Sequence, residues 1–474
     1  MKVKSTLLII VILITGCSRE FTNPYDPGND SPDAWLPRNL SATIASENSV
    51  NLVWQNGCNF PVEYKVERRV NYGSFVELAT VTSAEYTDPT IERDNFYTYR
   101  IRALAENNVS IASNTQKLKW AEPGYQIWSL DSMVTSFHDT LSEMLSVGIS
   151  HDGSLIATGE EMQTRLWNVE TGELIWSGRN SSPGYFIRFR PDDAMLQAGN
   201  ATIDVQNLSS TASDVDAGAY CFKYLPDNSG YAYAASKYFY MKFFDDSAEW
   251  GKFEEPYYYH FTSVDFHPTE NRLVNGSTSK LVRVYKIRGE NWYGDLIWTG
   301  THPDAVTTVA YSPDGSKIAA GSEDGTIHVW NASPGSSIGE ILLTMRHTGS
   351  VNHLVYSPDG NLIISGSEDY TLRAWNTATG ALNWTINTSK PVRKFFISSD
   401  AEFIVALQQD KKLTSWSDVE DGYFSVYALS DGSEMWTGGT ANDIDLCSND
   451  EVVAAVTGNT LAVYSTKAKW IITN

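Results

Sequence analysis

The side chains best suited to acid–base, nucleophilic or metal chemistry are sparse in this 474-residue chain, which has eight histidines and four cysteines. No His-Glu-x-x-His pair on a helix face, no Cys-x-x-Cys and no Gly-x-x-x-x-Gly-Lys phosphate loop occurs. The histidines are scattered; His151 and His267 fall on strand-end turns. Cys221 and Cys447 lie in well-separated segments, too far apart for a disulfide that needs Cα atoms within about 7 Å, so both read as buried thiols. Cys58 has no evident partner. The remaining cysteine, Cys17, ends an apolar run, and its chemistry is modification rather than catalysis.

Composition narrows the classes further. With 42% hydrophobic and 19% charged residues the chain has the apolar surface for packed cores, and its length calls for two or more units. The formal charge of -22 excludes a nucleic-acid binder, which needs a basic patch. Four cysteines are too few for a disulfide scaffold. Glycine, tyrosine and tryptophan, at 33, 25 and 15 residues, suit an all-β protein of many short strands.

Residues 1–16 begin with Lys2 and Lys4 and continue in the unbroken apolar run Leu7 to Ile14, as a secretory signal does. The ending Ile14-Thr15-Gly16-Cys17 resembles a bacterial lipobox, which implies cleavage before Cys17 and lipidation of it. Several acyl chains anchor a protein stably where one does not. Ser18 in place of an aspartate leans toward the outer membrane. Residues 17–36, rich in Pro, Asp, Asn and Gly, read as a flexible tether.

From residue 37 to 118 the alternation is strand-like, in Val50 to Trp54, Tyr64 to Arg68, Phe75 to Val81 and Tyr97 to Ala103. Trp54, Tyr64-Lys65-Val66-Glu67-Arg68, Tyr86-Thr87-Asp88 and Tyr99-Arg100-Ile101 resemble a fibronectin type III domain. The resemblance implies a β-sandwich with Tyr99 in its core and a spacer's role.

Residues 120–474 repeat. Ser312-Pro313-Asp314-Gly315 and Ser357-Pro358-Asp359-Gly360 are identical, each followed by Gly-Ser-Glu-Asp and closed by Trp-Asn at Trp330 and Trp375. A third copy runs from Ser150 to Asn168, and weaker copies start near Arg190, Leu225, His267, Ser398 and Cys447. The spacings of 40, 35, 42, 45, 45, 41 and 49 give the period of WD-repeat propellers. A second pattern, Gly-x-x-x-Trp, recurs at Gly172, Gly294, Gly380 and Gly432. These residues resemble the WD-repeat family, which implies a β-propeller of about eight blades, with seven possible if one weak copy forms none. Tyr125 to Phe137 is expected to pair with Leu461 to Tyr464 and close the ring. In the family, His347, Ser365, Asp369 and Trp375 would form a structural tetrad inside one blade, whereas the next copy back keeps His302, Asp324 and Trp330 but has Ala320 for the serine.

The resulting expectation is an all-β, lipid-anchored envelope protein with no catalytic residue, cofactor or metal, whose propeller binds other envelope proteins. It resembles, in layout only, the propeller lipoproteins that help assemble outer-membrane proteins. Three segments depart from the repeat as candidate partner sites. Gln408 to Gly422 looks like an insertion carrying Lys411, Lys412 and Trp416, although Trp416 also fits a blade position. Tyr231 to Phe261 is crowded with aromatics, including Tyr238 and Tyr240, which also fit a core. Glu323 and Glu368 precede the structural aspartates and stay free to bind. A glycan or small-ligand receptor is the alternative, and would line its central opening with exposed aromatics. Gly-x-x-x-Trp also resembles the blade-locking motif of quinone-dependent propeller dehydrogenases, but the adjacent cysteine pair typical of many of them is missing.

Overall fold

A computed structural model of the chain describes residues 37–473 except 57–61, 72, 93–94, 106–107, 111, 122, 132–143, 161–162, 180–185, 213–214, 216–218, 236, 245–249, 257, 288–294, 336–337, 411–421, 459 and 467–468. The described residues form 41 strands and no helix. They divide into two compact units, one of residues up to Glu122 together with 468–474, the other Pro123–Lys467. Cys17 and Cys58 lie outside the described residues.

In the first unit, one sheet consists of Arg38–Ser46, Ser49–Gln55 and Glu85–Asp88. The other runs in the order Val76–Val81, Glu63–Val70, Tyr97–Ala105, Gln116–Ala121 and Lys469–Thr473, with Asn108–Val109 beside Tyr97–Ala105. The last strand, which the sequence analysis counts with the repeat, therefore belongs here. Alternating residues of both sheets, among them Leu52, Trp54, Tyr64, Val66, Tyr99 and Ile101, form one core. Burial of Tyr99 is made affordable by its hydroxyl, which donates to Asp88 Oδ2 at 2.7 Å, where Arg68 Nη1 also donates at 2.7 Å.

The second unit contains eight four-stranded antiparallel sheets, spanning 144–179, 187–212, 219–254, 261–301, 306–346, 351–387, 392–441 and 443–465. They are numbered one to eight here. The eighth takes its fourth strand from the other end of the unit: Gln126–Asp131 pairs with Thr460–Ser465, Leu130 opposite Leu461. Phe137, placed in that strand by the sequence analysis, lies outside the described residues. All eight repeat starts, the weak ones included, follow the first strand of a sheet.

A shared turn explains how the degenerate copies survive. In seven of the eight copies the backbone N–H of the third residue after the start bonds back to the start carbonyl and φ is positive; in the copy from His267 the Glu270 N–H bonds to the His267 ring instead. Gly153, Gly315 and Gly360 occupy this place at φ 73°, 71° and 71°. Asp193, Asn228, Ala401 and Asp450 occupy it in the weaker copies at φ 56° to 61°. Asn and Asp tolerate the left-handed region at small cost, so the motif changes spelling while its geometry stays. Ser312 and Ser357 brace the turn by accepting the N–H of Lys317 and Leu362, each at 2.9 Å. In the eighth sheet Cys447 takes over this function: its sulfur accepts the Val452 N–H and donates to Asn449.

Packing fixes the order of the sheets. Second strands such as Leu362–Ser367 and Lys317–Ser322 are buried along almost their whole length, because a neighbouring sheet covers each face. Most apolar clusters join consecutive sheets. One unites Val329 and Met345 of the fifth with Val351 and Trp375 of the sixth, and another unites Val452 and Val463 of the eighth with Met144 and Trp167 of the first. At the first strands the joint is polar. Ser263 Oγ and Asp265 Oδ2 of the fourth sheet accept the N–H groups of Val309 and Tyr311 of the fifth, at 3.1 and 2.8 Å. Asp443 and Asp445 of the eighth accept those of Val147 and Ile149 of the first, at 3.1 and 2.8 Å. Lys223 from the third sheet pairs with Asp265, and Lys394 from the seventh pairs with Asp443 at 2.8 Å, so each aspartate ties three sheets together.

Candidate functional site

The turns between second and third strands and the links between consecutive sheets lie at one end of the sheets. Glu323 N–H bonds to Ala305 O, Glu368 N–H to Ser350 O, and His347 N–H to Gly325 O, all at 2.9 Å. This end brings His347, Ser365, Asp369 and Trp375 together. Trp375 Nε1–H donates to Ser365 Oγ at 2.8 Å, Ser365 Oγ lies 2.7 Å from His347 Nε2, and His347 Nδ1 lies 3.0 Å from Asp369 Oδ2. With the imidazole proton on Nδ1, each group donates to the next. Burial alone would raise the Asp369 carboxyl, but hydrogen bonds from His347, Thr371 and the Thr348 N–H outweigh it and hold the group well below the usual carboxylate range. The four side chains satisfy one another inside the sheet.

The other sheets fill the same place differently. In the fifth, Ala320 offers no hydroxyl, and His302 Nε2 is 3.3 Å from the Ala320 carbonyl while its buried Nδ1 has no partner. His302 stacks obliquely on His328 at 4.7 Å, and desolvation, with His328 second, lowers its pKa to about 4. In the fourth, Glu255 holds the backbone position of His302 and His347: its N–H bonds to Lys237 O at 2.9 Å, as theirs bond to Lys280 O and Gly325 O. Its buried carboxylate pairs with Arg283 and accepts from Ser279 Oγ at 3.0 Å. In the first sheet, Glu160 and Arg165 form a fully buried pair. Neither pair is evident from the sequence; their signal is the third-strand register, which aligns Arg165, Arg283, His328 and Arg373 opposite Thr158, Asn275, Ala320 and Ser365.

The candidate partner residues fare unequally. Lys411, Lys412 and Trp416 lie outside the described residues. Glu323 is exposed, but Glu368 is not free as expected, because Arg393 of the seventh sheet pairs with it. Tyr240 stacks on Tyr233 at 4.8 Å and Tyr238 lies 5.9 Å from Tyr240, so this aromatic run is mainly packing. Among the described residues, the exposed aromatics are Phe244 (44%), Tyr258 (84%), Tyr259 (41%) and Tyr370 (47%). Tyr370 sits at the turn position held by Gly325 and Lys280 in the preceding sheets, at φ 64° against 85° and 66°. Gly335 to Gly339 has the Gly-x-Ser-x-Gly spelling, but it joins two antiparallel strands, Thr326–Asn331 and Ile341–Arg346, rather than the strand and helix of a nucleophile turn. No group of three or more His, Cys, Asp or Glu suited to a metal ion occurs among the described residues.

Comparison with known proteins agrees with this geometry. Residues 294–331 and 339–376 match the WD domain, G-beta repeat. The chain carries WD40 repeats. No curated protein matches it. Among solved structures, the computationally designed protein Ika8 aligns with a TM-score of 0.56 at 16% identity, over 72% of this chain and 100% of that one, which relates the fold alone.

Two outcomes follow for stability. Ala320→Ser should rebuild the hydrogen-bonded chain from Trp330 to His302 and raise unfolding free energy by about 1 kcal/mol, read from the urea midpoint. Neutral His302, buried, and His353, half-buried and lowered to about 3 by desolvation and then by Lys394, Arg188 and Lys223, bind protons more weakly folded than unfolded. Their contribution is therefore complete above about pH 6.5 and lost progressively as pH falls toward 4. The thermal midpoint should drop across that window, and less steeply in His302→Gln.

Proposed function

We propose that residues 123–467 form a closed eight-bladed propeller that serves as a non-enzymatic protein-interaction scaffold. We further propose that lipid on Cys17 holds it at a bacterial cell envelope, with a fibronectin type III-like spacer between. Apolar clusters that run from sheet to sheet and from the eighth back to the first support closure. The two-sheet core around Trp54 and the Tyr99–Asp88 bond support the spacer reading. The apolar run ending at Cys17 supports the anchor and an outer-membrane address.

Tyr370 carries the scaffold reading. A left-handed backbone costs a residue with a Cβ about 1–2 kcal/mol, and Gly325 avoids that cost at the same turn. Tyr370 belongs to none of the apolar clusters among the described residues and is half in water, and Lys280 bears the same strain one sheet further back with a charged side chain. Strain retained under an exposed aromatic marks an anchor for a partner, as aromatic side chains dominate interface energies. Tyr258, Glu323 and Arg346, the last with 70% of its side chain exposed, extend this face with mixed charge. A glycan receptor fits less well. The half-exposed first-strand positions are mostly charged or small, such as His353, Lys394, Asp443, Asp265 and Ser263, and several of these already bond between sheets; Phe396 is the aromatic among them.

Tyr370→Gly should raise unfolding free energy by about 1 kcal/mol while reducing the proteins that copurify from crosslinked envelopes. Unchanged recovery would sink the scaffold reading of this face. For the anchor, labelled palmitate should enter the native chain and not Cys17→Ser, which should leave the membrane fraction; equal labelling of both would overturn it.

A further inference from the structure

The outer strands carry a second surface feature in a fixed register. Glu173-Leu174-Ile175, Asp295-Leu296-Ile297 and Glu340-Ile341-Leu342 each follow the turn into the fourth strand of sheets one, four and five. The six aliphatics are between 36% and 55% exposed. Leu382 and Met435 repeat the exposure in sheets six and seven. The pairing slips beside them in every case, at Leu166/Trp167, Val284/Tyr285 and Val329/Trp330, and such a bulge lets two consecutive side chains face water. Packing does not demand aliphatics here, since Asn383 and Glu434 occupy the equivalent places. No described strand pairs with the outer edge of these strands. An unpaired apolar edge is one that proteins normally blunt.

We propose that the neighbouring outer strands Asp295–Thr301 and Ile341–Arg346 take up an extended, cationic segment of a partner protein by strand addition. Main-chain groups along the edge supply the hydrogen bonds, and the aliphatic pairs receive alternate apolar side chains. Glu340, at the head of the second strand, selects lysine or arginine in the partner. Glu340, like Glu173, is exposed and has no ion-pair partner among the described residues, and the chain as a whole carries -22. That charge also disfavours a second copy of this chain as the occupant. Trp298 anchors the arrangement from within, edge-on to Trp330 of the next sheet at 5.6 Å. The proposal rests on the scaffold reading and names a different surface and the chemistry of its partner.

The test is fluorescence anisotropy of the full chain with a labelled short peptide alternating lysine and valine, against a counterpart alternating glutamate and valine. The lysine peptide should bind and weaken with salt. The double variant Ile297→Asn with Leu342→Asn, which copies Asn383, should lose roughly tenfold in affinity at an unchanged thermal midpoint. Glu340→Lys should weaken the lysine peptide and admit the glutamate one. Equal binding of both peptides, native affinity in the double variant, or no binding would each overturn the proposal. So would self-association of the native chain that the double variant abolishes. Tyr370→Gly should leave peptide binding intact. A partner lost in that variant, with no peptide bound by the native chain, would therefore sink this edge alone and leave the scaffold reading standing.

Discussion

A sheet that is apolar on both faces is stable only between two others, and this requirement organises the larger unit. Second strands such as Phe403–Gln408, buried at every position, have no solvent face to offer. Apolar burial is non-directional, however, and does not by itself set one sheet against the next in register. The first strands supply the direction. Successive first strands run in the same sense, since residues 263 and 265 meet 309 and 311 at a constant offset, and 443 and 445 meet 147 and 149 likewise. Their backbones do not share a ladder, so side chains reach across to satisfy the next strand's N–H groups. Asp265 and Asp443 need a cation to offset the cost of burying charge, and Lys223 and Lys394 come from the sheet on the opposite side. Charge that looks functional in the sequence is thereby consumed in holding sheets together.

At the other end of each sheet, one location must satisfy polar groups beneath a link between sheets, and in four sheets three chemistries serve it. The sixth sheet uses a relay from tryptophan to an aspartate carboxylate; the fourth and first use buried glutamate–arginine pairs. The fifth retains an imidazole with one nitrogen orphaned. These alternatives differ in their response to pH. Arg283 and the Ser277 and Ser279 hydroxyls hold the Glu255 carboxyl below the usual range against the cost of burial, whereas His302 is the member that must gain a proton its site disfavours.

The strongest copies were readable because their turn and their Trp-Asn ending coincide with structural necessities, a left-handed turn residue and a large buried side chain. The weak copies were placed correctly from spacing alone, though Asp193, Asn228, Ala401 and Asp450 carry the turn without the glycine. Glu255 stayed hidden because it follows an aromatic stretch that masks the repeat, and because its partner Arg283 is eligible only once strands are aligned. Stacking of Tyr240 within its own sheet agrees with the core reading of that run, whereas engagement of Glu368 depends on which residue a neighbouring sheet presents. Lys469–Thr473 reads like another repeat strand; only its pairing with Gln116–Ala121 assigns it to the first unit.

What remains after these structural demands are met is a short set of local violations. Tyr370 occupies a backbone conformation that suits glycine, and pairs of aliphatics face water where Asn383 shows that a polar residue is accepted. Sequences that agree with their fold at every other level tend to break such rules where function requires it. The two violations are also of different kinds. Tyr370 presents one strained anchor among mixed charges, suited to a defined contact on a partner's surface. The outer strands present a repeated, unstrained edge with acids at its head, suited to an extended chain read by periodicity and charge. On the proposed reading, a scaffold with both surfaces would hold one partner by shape and another by sequence pattern, and its excess negative charge would set the sign of the second.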